Sequence, residues 1–455
     1  MNLHTGRLPI PDKAQSNPRS LAAWVSLVLC LAGLHSPARG SVLDPRAVQS
    51  ATLSNGLRLV VCADSEAAVV SVEVVIRAGS ADDPPGQEGA AHLLEHVLWA
   101  GYGPQDPRLR IEQIGGIANA GALRDFTRFY ATVPVGYMDL ALDALSQMVL
   151  LQDFDEESLA RECHIILEEA AVRSDDPHAI LNDLAFQELY GPAHPYRHPI
   201  EGDSSTLHTI TPSQLSLFYS TWYVPNNMSV VICGDVGFES AHAAVESAFG
   251  HLLPAATPRM PRPQPAPPDR ERERITQLPT GQAYLAAVFP APPVSDYDQV
   301  CASDLIATLL AYGPFGRLVR DLKDDRQLAS AVGVDFLTQR DPALFAVWAA
   351  CKPEHIPAVK QAVREQLARL GQDPVAPDEL ATAKRLLTAA YAFANETCAD
   401  RAATLAFYEA VDTYRSATQY LPRVQSLTAK QVAQTAARYA AEPIWIVLQP
   451  TATRR

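Results

Sequence analysis

The sequence predicts an α+β protein made of two similar domains. Segments rich in Val, Leu and Ile, typical of strands, are interleaved with segments of helical period. The same strand–helix–strand order recurs beyond a stretch, residues 253–275, that contains seven prolines. With 455 residues, 47% hydrophobic and 19% charged, the chain has ordinary globular composition and can bury more than one core.

The elements of the first half follow from hydrophobic pattern and from stop signals. Gly101 ends one predicted helix, and the Ser-Asp-Asp-Pro run at 174–177 ends another. Gly234 and Asp235 close a nearly continuous apolar strand. We predict strands at 57–61, 68–77 and 228–233, and helices at 89–100, 139–151 and 156–173.

The second half has the same mixture of short apolar runs and longer amphipathic segments. We predict strands at 283–289, 331–336, 343–350 and 444–448, and helices at 298–310, 355–370, 377–394 and 402–411. The repeat is visible in element order and weak at the level of individual residues. Because proline-rich segments act as stiff linkers, we place a first domain at 41–252, a linker at 253–275 and a second domain at 276–455.

Residues 1–40 have the pattern of a secretory signal peptide. A basic stretch precedes an apolar run at 21–34, and Ala38-Arg39-Gly40 provides a small-x-small cleavage site. The run has 14 residues, whereas a membrane span needs about 20. We therefore predict an exported protein, periplasmic or secreted, with no integral membrane span after cleavage.

Net charge limits the classes of binding partner, and cysteine content bears on whether disulfides are expected. The formal net charge of −14 argues against nucleic acid and against anionic membranes. Six cysteines remain after residue 40 and none forms a C-x-x-C motif. An exported protein could pair some of them, but buried free thiols are the default expectation for so few, widely spaced cysteines.

The candidate chemistry begins at His92-Leu93-Leu94-Glu95-His96. On a helix, residues i and i+4 share one face, so the two imidazoles point to one place. Two neutral imidazoles are good zinc ligands, and Glu95 can act as a general base on a water beside the metal. This H-x-x-E-H order needs a third protein ligand from elsewhere. The plainer alternative is two histidines on an apolar helix.

The helix at 156–173 offers that ligand. Glu162 and Glu169 are two turns apart and share a face, and the apolar residues between them indicate partial burial. Because a buried carboxylate needs a charge partner, we assign Glu169 as the third zinc ligand. Glu162 is then the residue that orients a ligand imidazole. Glu168 is expected to be a solvated helix residue.

These motifs resemble the insulinase/pitrilysin zinc peptidases, the inverzincins. His92-x-x-Glu95-His96, the acidic helix 73 residues later and Arg173-Ser-Asp-Asp-Pro177 carry the resemblance. The segments at 115–134, 194–202 and 223–235 also match, and Gly316-Arg317-Leu318 resembles a turn of the family's second domain. The resemblance covers about residues 50–450.

The resemblance implies a function and a site. It implies two homologous α+β domains, each a mostly antiparallel sheet packed against helices, forming half of a clam-shell chamber. It implies one Zn²⁺ per chain and a peptide substrate that pairs as an added strand at Asn119 and Ala120. His194 and His198, in a Pro-containing loop, are interpreted as structural.

One departure from the family pattern bears on activity. Lys323 stands where the family has an Arg, and Ser330 where it has a Tyr, two donors to substrate and oxyanion. A second, non-catalytic family chain could supply the pair in a hetero-oligomer, with a homodimer also possible. Two alternatives stay open. Either the family's Arg position corresponds to Arg326 or Arg320 in this sequence, or the activity is weak.

The predicted function is a zinc metalloendopeptidase. The alternative is a non-hydrolytic structural or binding subunit.

Overall fold

The fold contains two sheets, one from each half of the chain. The computed structural model describes residues 43–100, 106–150, 154–259, 261–265 and 272–451. The predicted signal peptide, residues 1–40, lies outside the described residues. Within the described part, no helix combines the length and apolar character that crossing a membrane requires.

The first sheet has six strands in the order β1-β2-β6-β3-β5-β4. Its strands β2 and β6 are parallel, and all the other neighbouring pairs are antiparallel. The strands are β1 (Val48–Thr52), β2 (Arg58–Ala63), β3 (Val69–Ile76), β4 (Ile117–Ala122), β5 (Thr127–Pro134) and β6 (Met228–Gly234).

The second sheet repeats this arrangement without the first strand. Its order is β7-β11-β8-β10-β9, with β7 and β11 parallel and the other pairs antiparallel. The strands are β7 (Arg272–Leu278), β8 (Ala283–Pro290), β9 (Ala329–Phe336), β10 (Leu344–Cys351) and β11 (Ile444–Pro450). The matching strand orders confirm the prediction of two similar α+β domains with mostly antiparallel sheets.

The α-helices cover both faces of each sheet. In chain order they are α1 (Ala90–Trp99), α2 (Pro107–Gln113), α3 (Met138–Val149), α4 (Glu156–Arg173), α5 (Pro177–Leu189), α6 (Ser204–Leu207), α7 (Pro212–Trp222), α8 (Phe238–Phe249), α9 (Tyr297–Ala311), α10 (Ile356–Gln372), α11 (Pro377–Phe393), α12 (Cys398–Val411), α13 (Tyr414–Ser426) and α14 (Ala429–Ala436). The main cores lie between the first sheet and α1, α3, α4, α7 and α8, and between the second sheet and α9, α10, α13 and α14.

The remaining face of each sheet is covered by a helix from the other half of the chain. Helix α5 packs Leu181 and Phe186 against β8 and β11 of the second sheet. Helix α12 packs Leu405 and Ala406 in one core with side chains of β2, β3 and β6. This exchange buries apolar surface that each half would otherwise leave exposed.

The proline-rich segment is tied to both halves. Arg262 forms ion pairs with Asp82 of the first half, at 2.7 Å, and with Asp341 of the second, at 2.6 Å. Strand β7 begins at Arg272, inside the segment that the proline pattern assigned to the linker, because its backbone pairs with β11.

Candidate metal centre

Helix α1 carries both histidines and begins in a tightly packed loop. Its N-cap, Gly89, has φ = 101°, and a Cβ there would lie 2.8 Å from the carbonyl oxygen of Glu201, so glycine suits the position. The Asp83 carboxylate accepts hydrogen bonds from the N–H groups of Gly89 and Ala91, both at 2.8 Å. These contacts hold the first turn of the helix.

The two imidazoles meet on one face of α1, as the spacing predicts. The ring centroids of His92 and His96 are 4.6 Å apart with planes at 88°. One potential ligand atom from each of His92, Glu95 and His96 lies within 4.8 Å of the others. Leu93, Leu94 and their neighbours on α1 are buried in the main core, which anchors the helix behind the site.

Burial and hydrogen bonds together set the protonation of this group. Burial lowers the pKa of His92 to about 3, so its imidazole is neutral. Burial also raises the pKa of Glu95 to about 7. Burial acts against the charged form of His96, but hydrogen bonds to Glu162 and Glu169 outweigh it and raise its pKa to about 10.

Helix α4 places the two predicted glutamates on different sides of the His96 ring. Glu162 is buried, and its Oε2 lies 3.5 Å from His96 Nδ1. Glu169 has a side chain 42% exposed, and its Oε2 lies 3.6 Å from His96 Nε2. Glu168 is exposed and pairs with His164 at 3.2 Å. Glu162 and Glu169 therefore lie at the two different ring nitrogens of His96.

The C-terminal end of α4 is held by Arg173. Its guanidinium forms ion pairs with Asp183 at 2.7 Å and Glu201 at 2.8 Å. The same Glu201 lies against the N-cap of α1 through its backbone. The two helices that carry the donors are thus tied to one loop, which limits their relative movement.

The donor set fits a zinc ion. Two imidazoles and one or two carboxylates are typical of a zinc site that keeps a position open for water. The buried Nδ1 of His92 has no hydrogen-bond partner among the described residues. His92, Glu95 and His96 have donor atoms close enough to share one ion, and Glu169 lies next to them at His96 Nε2.

The predicted substrate strand lies beside this group. Strand β4 is the outermost strand of the first sheet and contacts α1. Asn119 and Ala120 pair in register with Tyr130 and Phe129 of β5. The side-chain oxygen of Asn119 accepts the N–H of Ala120 at 2.9 Å. The edge of β4 away from β5 has no strand partner in the described part of the sheet.

Two family models match the chain. The model described as Insulinase (Peptidase family M16) matches residues 58–198, which include the His-x-x-Glu-His helix and the acidic helix. The model described as Peptidase M16 inactive domain matches residues 209–387. The chain belongs to peptidase family M16.

Relatives and solved structures agree with this membership. A protein of Mycobacterium leprae named an uncharacterized zinc protease is 29% identical over 343 residues, 73% of this chain and 76% of that protein. A protease from Helicobacter pylori has a TM-score of 0.82 at 23% identity, covering 89% of this chain and 99% of that one. A structure titled peptidase M16 inactive domain from Pseudomonas fluorescens has a TM-score of 0.80 at 22% identity, with coverage of 90% and 99%. At these identities the two structures support the M16 fold.

The positions that depart from the M16 pattern lie in the second half. Lys323 is on a π-helical segment, Val319–Asp325. Ser330 is on the edge strand β9, and its hydroxyl donates to the side-chain oxygen of Gln282 at 2.9 Å. Arg326, the alternative donor, pairs with Asp321 at 3.7 Å.

Sequence reasoning missed residues that support the site. Asp83 precedes α1 by seven positions and caps its start, and an acidic residue shortly before a predicted helix was the available signal. Tyr223 is a second such residue. Burial raises the pKa of its phenol, and the negative charge of Glu95 raises it further. Its proximity depends on tertiary packing. His194 Nδ1 accepts the Tyr196 N–H at 3.1 Å, and its structural role stays a prediction.

Proposed function

We propose that this chain is a zinc-dependent metalloendopeptidase. The observation that carries the proposal is the approach of His92, Glu95 and His96 within 4.8 Å, with Glu162 and Glu169 on the two nitrogens of His96. His92, His96 and Glu169 hold one Zn²⁺, and Glu162 orients His96. When bound, the ion polarises the peptide carbonyl and lowers the pKa of water in its open position.

Glu95 performs the proton transfers. Its carboxylate takes a proton from the attacking water and returns it to the leaving amine nitrogen. A pKa raised to about 7 by burial suits a group that must both accept and donate near neutral pH.

The substrate is an extended peptide. The outer edge of β4, at Asn119 and Ala120, can pair with a substrate strand through main-chain hydrogen bonds. Main-chain pairing tolerates many sequences, so we expect short, unfolded peptides to be cleaved with broad selectivity. Each chain forms one half of a clam-shell chamber in this proposal.

The Glu95→Gln variant tests the chemistry. Gln keeps the shape of the side chain but accepts no proton, so we expect peptide hydrolysis to fall at least about 10²-fold while zinc content measured by metal analysis stays near one per chain. Glu168→Gln is the matched control, because Glu168 is an exposed glutamate on α4 paired only with His164. A Glu95→Gln variant with wild-type turnover would refute the proposal.

A second M16 chain completes the site. Lys323 and Ser330 replace the Arg and Tyr of the family pattern, and loss of one such oxyanion donor costs about 10²–10³ in rate in other hydrolases. We expect low turnover from the chain alone and a large increase when a family member that carries the Arg–Tyr pair is added. Full turnover by the purified chain alone would reject the hetero-oligomer.

A non-hydrolytic structural or binding subunit is the competing function. The two departures in the second half, Lys323 and Ser330, favour it. Metal analysis and the partner assay separate the two. A chain that lacks stoichiometric zinc and hydrolyses no peptide in the presence of its partner is the non-hydrolytic subunit.

Export and domain bounds complete the proposal. Cleavage after Gly40 would release a chain that starts at Ser41, in the periplasm or outside the cell. The mature chain then has a metal-binding domain at 41–252, a linker at 253–275 whose last four residues already belong to strand β7, and a second domain at 276–455. N-terminal sequencing of the protein from its native host tests the cleavage site.

A further inference from the structure

The turn formed by residues 79–83 is bonded both to helix α1 and to the loop that follows strand β4. The Asp83 carboxylate caps the first turn of α1. On its other side, the N–H groups of Ser80 and Ala81 donate to the carbonyls of residues 123 and 124, at 3.0 and 2.9 Å. These two residues directly follow β4. The turn therefore connects the helix that carries the histidines with the end of the outermost strand.

Arg262 of the linker holds this turn. Its Nη2 lies 2.7 Å from Asp82 Oδ1 and donates to the Ala81 carbonyl at 3.0 Å. Its Nη1 lies 2.6 Å from Asp341 Oδ2, in the second half of the chain. The side chain of Arg262 is 12% exposed and that of Asp82 is 6% exposed. Solvent and salt therefore screen the contact between them only weakly.

The same guanidinium approaches the loop after β4. Asp125 is the third residue of this loop, and its Oδ1 lies 3.6 Å from Arg262 Nη1. The buried Asp125 carboxylate also accepts the Tyr196 hydroxyl at 2.6 Å and the Arg340 N–H at 3.0 Å. One linker side chain thus contacts the turn before α1 and lies near the loop after β4.

Asp82 has only longer contacts besides Arg262. The Gly79 N–H donates to its Oδ2 at 3.3 Å, and Arg259 Nη1 lies 3.8 Å from its Oδ1. Loss of the Arg262 guanidinium would leave this buried carboxylate with one long ion pair. Because a buried charge without a close partner is costly, the turn would have to move or open.

We propose that Arg262 is a positioning residue for the metal centre. By holding Asp82 it fixes the 79–83 turn, and the turn fixes the start of α1. Both proposed histidine ligands lie on α1, whereas Glu169 lies on α4, so a shift of α1 changes how the donors fit one ion. Such a fit tolerates about 0.5 Å. The role at the zinc ion rests on the proposed function, whereas the role in holding α1 does not.

Hydrogen–deuterium exchange of the chelator-treated full chain tests whether Arg262 holds α1. Arg262→Met keeps the length of the side chain and removes the guanidinium. We expect severalfold faster exchange than in the wild type at residues 79–83 and in the first turn of α1, because exchange reports local opening. Equal exchange in the variant and the wild type would overturn the proposal.

The control is Arg317→Met. Arg317 is 19% exposed and pairs with Glu379 in the second half, at 2.7 and 2.6 Å. This variant also removes a half-buried guanidinium from an ion pair, but the pair does not contact the 79–83 turn. Exchange in the turn and in α1 should therefore equal that of the wild type.

Zinc affinity separates a positioning role from a general loss of stability. Titration against a competing chelator should give a dissociation constant about 2–30-fold higher for Arg262→Met and an unchanged one for Arg317→Met. Asp82→Asn removes the other partner and should cause a similar loss. The double variant should lose no more than either single variant, because the two residues act as one unit. Additive losses would contradict the proposal.

Two outcomes distinguish the positioning role from the proposed function. A wild-type chain that binds no zinc refutes the zinc peptidase, and the exchange measurement then decides the positioning role alone. A wild-type chain that binds zinc, with the same affinity in Arg262→Met, refutes the positioning role alone. If Arg262→Met does not fold, Asp82→Asn replaces it in both measurements.

Discussion

At the residue scale, two glutamates on one helix face have different environments. Glu162 is buried against His96 Nδ1, whereas Glu169 is partly exposed and lies near Nε2. A hydrogen bond to the far nitrogen fixes the orientation of an imidazole and strengthens it as a donor. In the proposed zinc site, Glu162 would therefore act on the metal through His96, and Glu169 would act directly.

Replacement of Glu162 by Gln separates these roles. We expect the apparent zinc affinity to fall about 10–100-fold, because the amide no longer provides a negative charge at His96 Nδ1. Glu169→Gln should cause a larger loss, since it removes the carboxylate proposed as the third ligand. A titration against a competing chelator measures both, with Glu168→Gln as the control on the same helix. Unchanged affinity for Glu162→Gln would contradict the orienting role.

At the element scale, the exchanged helix α12 is joined to the first half by a buried ion pair network. Glu409 has a fully buried side chain, accepts from Arg77 Nη2 at 2.8 Å and also pairs with Arg58. It also accepts the backbone N–H of Tyr414 at 2.9 Å. One carboxylate thus links strand β2 and the residue that follows β3 to the end of α12.

The Glu409→Gln variant should weaken this junction. The amide keeps the volume but leaves two guanidinium groups without their buried anion. Because Arg58 and Arg77 have side chains 32% and 27% exposed, we expect a loss of roughly 1–3 kcal/mol in the free energy of unfolding, less than for a fully buried pair. Urea denaturation checks this. Glu365→Gln, an exposed position on α10, is the control, and equal midpoints for the two variants would disprove the role of Glu409.

At the scale of the whole molecule, each half supplies a helix that the other needs. Val60, Val75 and Val231 of the first sheet are buried in the core that contains α12. Without the second half, this face is an exposed apolar patch, which promotes aggregation. The two domains are therefore expected to fold as an interdependent pair.

Fragments test this interdependence. Residues 41–252 expressed alone should aggregate or bind a hydrophobic dye, and co-expression with residues 261–451 should give a soluble complex. Leu405→Asp in the second fragment should abolish the rescue, because Leu405 is buried at the junction. Phe393→Asp should not, because Phe393 is 57% exposed. A monomeric first fragment with a cooperative unfolding transition would show that α12 is dispensable.

Local spacing determined most of what could be predicted from the sequence alone. The helix predicted at 156–173 has these bounds in the structure, and the i, i+4 spacing brought His92 and His96 together, because helix geometry depends on neighbouring residues. The helix predicted at 402–411 begins earlier, at Cys398, because Thr397 caps it. Helix α5 was missed, because its apolar residues cover a sheet from the other half of the chain.

Only the tertiary structure decided which distant groups meet. The sequence indicated two acidic residues on one face of α4, but the packing of α4 against α1 decided that Glu162 supports one nitrogen of His96 and Glu169 approaches the other. The same holds for the exchange of α5 and α12 between the two halves of the chain. The spacing of apolar residues along a helix or strand determines which of its faces is buried. Which segment covers that face is determined by the burial of apolar surface between parts of the chain that are far apart in sequence.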